Sequence, residues 1–235
     1  KQLAQWLQRD LIAWNLPADA RGWTFRLHWA AEGGLAVDAE AVTGGQSLPL
    51  TLDPAGLPAD VVAAYPHLAG YEALRLSAKD AKLVEELLTG QVAVAAYDDL
   101  GRLRDATGIQ IPGVLDDVFS GAYDRDLGVT WNGSSPSVAL WAPTAKDVDL
   151  LVRAPGSGSD TRVDLRRDTD GVWSTSGRPQ WKGASYLFEV DVYVAATGKV
   201  ETNLVTDPYS LALTTDSARS VMVDLDDSAL EPAGW

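Results

Sequence analysis

The chain has 235 residues, 46% hydrophobic and 22% charged, the balance of a folded protein rather than a disordered one. Its net charge of −14 is shared evenly by the two halves and opposes binding to phosphate backbones or anionic membrane surfaces. Cysteine is absent, which excludes disulfides, thiolate zinc sites and cysteine nucleophiles, and no run of about 18 apolar residues offers a membrane span.

The chain opens KQLAQWL, with neither an initiator Met nor a signal-peptide pattern, and is expected to be part of something longer. Residues 22–29 alternate: Trp23, Phe25, Leu27 and Trp29 share one parity, with Thr24, Arg26 and His28 on the other. That pattern predicts a half-buried strand. Gly33-Gly34 then turns the chain into 35–42, the expected hairpin partner. Prolines punctuate 53–74 around a short helical register at 59–65. Residues 79–89 read as one short helix, capped by Asp80 and stopped by Gly90. Residues 91–97 return to strand, 98–101 turn, and 102–111 pair back.

Alternation lapses in 112–127, where Pro, Gly and acidic residues mark a domain boundary. Strands are then predicted at 128–131, 137–141, 148–153, 162–166, 186–194, 199–203 and 220–225. In 186–194 the even positions are apolar and the odd ones include Glu189 and Asp191, as in an antiparallel sheet with one wet face. The fold class read from this is mainly all-β: two tandem immunoglobulin-like β-sandwich domains, the first with short helices. The predicted domains are 1–118 and 119–225, followed by a linker at 226–235.

Chemistry-bearing residues are sparse. His28 and His67 lie 39 positions apart and have no metal-ligand spacing. The pairs Asp98-Asp99, Asp116-Asp117 and Asp226-Asp227 fall at turns or boundaries, where solvated caps are the ordinary role. No phosphate loop, nucleophile elbow or zinc-protease motif occurs. The loop carboxylates lack the spacing of a calcium loop. The candidate sugar contacts are Trp173, Trp181 and Lys182: an indole can stack on a pyranose ring while a nearby ammonium reaches a hydroxyl. The competing role for both indoles is to cap or fill the sandwich core.

The stretch LWAPTAKDVDLLV (140–152), followed in order by GVW, KGASYLFEV and VTDPYS, resembles carbohydrate-binding module family 48. Trp141, Pro143, Tyr186, Asp207, Pro208 and Tyr209 belong to these motifs. With PHLAGYEAL (66–74), GVLDD (113–117) and DLDDSALEPAGW (224–235), the whole chain resembles the N-terminal region of pullulanase and limit-dextrinase-type debranching enzymes of glycoside hydrolase family 13. The resemblance implies non-catalytic modules of an α-1,6-glucan debranching enzyme. They would serve as a scaffold docked on the enzyme's own catalytic (β/α)8 barrel, with weak contact to α-glucan such as starch, pullulan or limit dextrin. It implies no cofactor for this chain, although it allows calcium in the parent enzyme. It favours secretion or the cell surface, with the cytoplasm as the alternative. Catalytic residues are carried over to no position here. Glycogen-binding members use two tryptophans and a lysine; Leu187 stands at the lysine position, Val200 near one tryptophan position, and the loop 153–160 has no aromatic. The alternative functions are a true starch- or glycogen-binding module and a free-standing surface β-sandwich.

Overall fold

The computed structural model describes residues 1–17, 20, 22–232 and 234; Ala233 and Trp235, at the end of the predicted linker, lie outside the described residues. The chain divides into two units, residues 1–120 with 193–200, and residues 121–192 with 201–235. It is mainly β with a few short helices, as the alternation implies.

The first unit contains β1 (Gln2–Gln8), β2 (Leu11–Trp14), β3 (Thr24–Ala30), β4 (Ala36–Val37), β5 (Val42–Thr43), β6 (Gln46–Asp53), β7 (Glu72–Arg75), β8 (Gln91–Tyr97) and β9 (Leu103–Gln110). Seven of these follow the order β1-β2-β7-β6-β3-β8-β9, and a parallel pairing of β9 with β1 closes the circuit, leaving no open edge. The expected partner of β3 is corrected here. Residues 35–42 do not pair with it; β4 and β5 form a separate ribbon, and β3 lies between β6 and β8. Cross-strand burial explains the choice. Phe25 and Leu27 face Leu50 and Leu48 on one side and Ala96 and Val94 on the other, whereas Ala36 and Val37 are exposed.

Strand β2 (LIAW) has no alternation because it is buried on both faces. Leu11 and Ala13 pack with Val61 and Leu68, beneath the short helix α1 (Ala59–Ala64), while Ile12 and Trp14 on the other parity are also fully buried. The predicted helix over 79–89 is a 3-10 turn, Asp80–Leu83, followed by α2 (Val84–Leu87). Ser77, not Asp80, caps it. Its Oγ accepts from the Asp80 N–H (3.1 Å) and donates to the Asp80 carboxylate (2.8 Å). Gly90 follows, where a Cβ would stand 2.6 Å from the Ala30 carbonyl oxygen, so only glycine fits this approach. The boundary stretch forms α3 (Pro112–Val118).

The second unit contains β10 (Gly128–Asn132), β11 (Ser135–Trp141), β12 (Ala145–Arg153), β13 (Thr161–Asp164), β14 (Arg166–Arg167), β15 (Val172–Ser176), β16 (Ser185–Val194), β17 (Lys199–Val205) and β18 (Ser220–Val221). One sheet runs β10-β11-β15-β14; the other runs β13-β12-β16-β17, with β18 on β16. Val138 and Leu140 of the first sheet share one core with Val148, Leu150, Val152, Tyr186 and Phe188 of the second, a sandwich packing.

Candidate functional site

The WAPTA turn joins β11 to β12 and is held by three long-range donors. Trp141 Nε1 donates to the Asp170 carbonyl (3.1 Å), Trp173 Nε1 to the Ala142 carbonyl (3.0 Å), and Arg167 Nη2 to the Pro143 carbonyl (3.2 Å). Proline at 143 has no N–H to satisfy and fixes φ, which suits a turn whose Ala142 and Pro143 carbonyls are both claimed. The facing turn, 168–171, is held in the same manner. Asp168 Oδ1 accepts from the Asp170 and Val172 N–H groups, and Arg125 bridges the Asp168 and Asp170 carboxylates at 2.6 and 2.8 Å. Burial alone would raise Asp168, but those backbone donors and Arg125 outweigh it and hold its carboxyl below the usual range.

Trp173 lies within β15 and is 6% exposed; Trp181, at the end of a 3-10 turn, is 9% exposed. Both belong to the sandwich core, beside Leu165 and Met222. Neither indole face is open to a sugar ring in this arrangement. Lys182 points elsewhere, pairing with Asp227 at 2.6 Å and holding that carboxyl below its usual value. The three residues singled out for sugar contact are therefore neighbours in sequence or core without forming a shared platform.

The VTDPYS motif is a buried latch. Tyr186 OH donates to Asp207 Oδ2 (2.6 Å), Asp207 N–H donates to Ser220 Oγ (2.9 Å), and Tyr209 N–H donates to Asp207 Oδ1 (2.8 Å). Asp207 is 3% exposed, and burial pushes its carboxyl up despite these donors. Burial, then the bond to Asp207, pushes the Tyr186 hydroxyl strongly up. Pro208 follows the latched aspartate, and just beyond it Tyr209, Leu211 and Leu213 are exposed, as are Leu204 and Val205 before it.

The positions compared with glycogen-binding modules carry no aromatic. Leu187 stands on β16 opposite Leu151, Val200 is on β17, and Arg153 at the end of β12 is tied to Asp160, which also holds Arg219. His28, expected on a wet face, is buried. Its Nε2 lies 3.0 Å from Tyr97 OH, and burial followed by the charge of Arg26 lowers its pKa. No group of three or more potential metal ligands occurs among the described residues.

One aromatic site escapes the alternation pattern. Trp29 ends β3 only partly buried and faces Gln46 across the β3–β6 pair. Trp29, Gln46, Ser47, Leu48, Leu83, Glu86 and Leu87 line a cleft of about 270 Å³. The sequence signal for it was a tryptophan one residue before the end of a strand, four residues ahead of a Gly-Gly turn.

Residues 1–117 match the Pullulanase N2 domain model, and residues 126–210 match carbohydrate-binding module 48, the isoamylase N-terminal domain. The chain belongs to the N-terminal domains of the pullulanase family. Over 99% of its length it is 35% identical to the chloroplastic pullulanase 1 of Arabidopsis thaliana, and 37% identical to a Klebsiella pneumoniae pullulanase. It spans only 24% and 21% of those proteins. The structure of apo pullulanase from Klebsiella pneumoniae superposes with a TM-score of 0.90 at 33% identity, covering all of this chain and 25% of that one. Pullulanases are glycoside hydrolases, and the two matched domains are non-catalytic; the described residues form no (β/α)8 barrel. The WAPTA turn and Asp207 both fall within the stretch matched by the carbohydrate-binding module 48 model.

Proposed function

We propose that these domains act as a scaffold for the catalytic part of a pullulanase-type enzyme that debranches α-1,6-linked glucan. The observation that carries this reading is the apolar strip around the latch. Leu204, Val205, Tyr209, Leu211 and Leu213 are all exposed, with Leu211 at 65% and Leu204 at 57%, on a segment otherwise anchored by Asp207. Five exposed large apolar side chains within residues 204–213 are a feature that a partner surface would cover. The relatives are roughly four to five times as long as this chain, so the rest of the same polypeptide is the proposed partner. The latch gives the strip a fixed shape at little ordering cost, which favours a permanent intramolecular contact.

The test uses the reading frame that carries these residues. Expressed without residues 1–235, the remainder is expected to be insoluble or to melt well below the intact protein; Leu211→Asp with Leu213→Asp in the intact protein should reproduce part of that loss. A remainder that is fully stable and active, or a reading frame without a catalytic barrel, overturns the proposal. A second reading, contact with α-glucan, is supported by the match to carbohydrate-binding module 48 and by a Klebsiella pneumoniae pullulanase structure solved with maltotriose. The buried state of Trp173 and Trp181 directs that reading away from these two residues.

A further inference from the structure

The matched sugar-module family covers the second unit, yet a cleft lined by a half-buried tryptophan lies in the first. We infer that the surface at Trp29 and Gln46 is a binding site for a short stretch of neutral α-glucan. The class of ligand rests on the α-glucan reading above; the place rests on geometry alone.

Two clefts meet at this residue pair. The one between β6 and α2 is floored by Leu48, Leu83 and Leu87, with Gln46, Ser47 and Glu86 on its rim. The second, also about 270 Å³, is bounded by Ala31, Glu32, Gly33, Gly44 and Gly45. Trp29 and Gln46 line both. Each cleft is at the small end of ligand sites, which run from about 300 Å³ upward, and is roughly the size for one or two hexose rings. Two small clefts in series on one aromatic residue suit a linear oligomer better than a compact metabolite. Gly45 keeps the passage bare: a Cβ there would lie 2.3 Å from the Trp29 carbonyl oxygen.

The chemistry narrows the ligand. A pyranose ring has a C–H face that packs on indole and leucine, and an edge of hydroxyls that needs amides and carboxylates. Among the described residues neither the Gln46 amide nor the Glu86 carboxylate has a protein partner, and both side chains are exposed. The linings carry Glu32 and Glu86 and no cation, which repels phosphate and carboxylate ligands. A wholly apolar ligand would strip water from Gln46 and Glu86 and return nothing. The indole itself is braced by Gly90, where a Cβ would come 2.9 Å from Trp29 Nε1.

The test titrates maltoheptaose, with cellohexaose as the β-linked control, into the 235-residue chain while indole N–H resonances are followed by NMR. Trp29→Phe assigns the Trp29 signal. The expected result is a saturable shift at Trp29 with Kd of about 1 mM, weakened roughly three- to tenfold in Gln46→Ala and Glu86→Ala with melting temperature unchanged. These two exposed positions carry the test if Trp29→Phe fails to fold. No shift at Trp29 up to about 10 mM, or binding that is indifferent to both exposed variants, overturns the site. Equal binding of cellohexaose overturns the α-glucan assignment. None of these outcomes bears on the scaffold reading, which is tested separately by removing residues 1–235 and by the content of the reading frame.

Discussion

The two units use tryptophan in different ways. In the second, Trp131, Trp141 and Trp173 each donate the indole N–H to a distant backbone carbonyl, those of Val223, Asp170 and Ala142. In the first, the buried N–H groups of Trp6 and Trp29 have no acceptor among the described residues, so packing is what holds these rings. An indole that pins a turn is committed to it, and its ring is drawn into the framework. An indole held only by packing can sit at a cleft and keep a face available. Trp173 and Trp29 are thus opposites, and the number of tryptophans says nothing of how many can meet a ligand.

The sharpest way to break this contrast is truncation. Trp173→Ala removes a core ring and a turn-holding bond and is expected to cost about 3–5 kcal/mol in urea unfolding; Trp29→Ala, at a partly exposed position, should cost clearly less. Equal losses would end the distinction. Tyr186→Phe comes next: it deprives the buried Asp207 carboxylate of a donor and should cost about 1–3 kcal/mol, and more than Tyr71→Phe on the other unit. The latch also predicts a pH trend. The folded pKa of Asp207 is raised by burial, so the folded state holds that proton longer than the unfolded chain. The resulting stabilisation is complete below the ordinary aspartate value and lost as pH rises through the raised one. Urea unfolding from about pH 4 to about pH 7 should show wild type losing stability relative to Asp207→Asn; a flat difference would count against a raised Asp207.

Smaller effects refine the picture. Trp173→Phe should cost about 1 kcal/mol beyond its change in volume, from the lost N–H···O bond, while Trp6→Phe gives up no such bond. The check is the difference between the two variants in one urea series. Arg125→Ala, which frees Asp168 and Asp170 at a half-exposed site, should cost no more than about 1 kcal/mol and less still in high salt.

Local pattern made much of the second unit legible. Strands β10 to β12, β16 and β17 stand where alternation and turn residues place them, and in β11 and β16 buried apolar positions alternate with more open ones. The first unit was harder to read. β2 hides because both its faces are buried. β3 was matched with the nearest chain, whereas its partners arrive from Gln46–Asp53 and Gln91–Tyr97. His28 was assigned to water because its neighbours on that parity are polar, yet Tyr97 covers it. For the candidate site, the motif residues were legible as framework through their family resemblance. The cleft at Trp29 was not, since its walls come from β3, β6 and α2, which are far apart in sequence.

Composition, periodicity and motif order were sufficient for the β class, the exclusion of thiol chemistry and the succession of motifs, because each is a property of short windows or of the whole count. Which indole stays buried and which one opens onto a cleft is set by partners dozens of residues away. Trp173 closes against Ala142, 31 positions earlier, whereas Trp29 meets Gly90 and α2 some 60 positions later. Burial is a sum over neighbours brought together by folding, and no local window contains them.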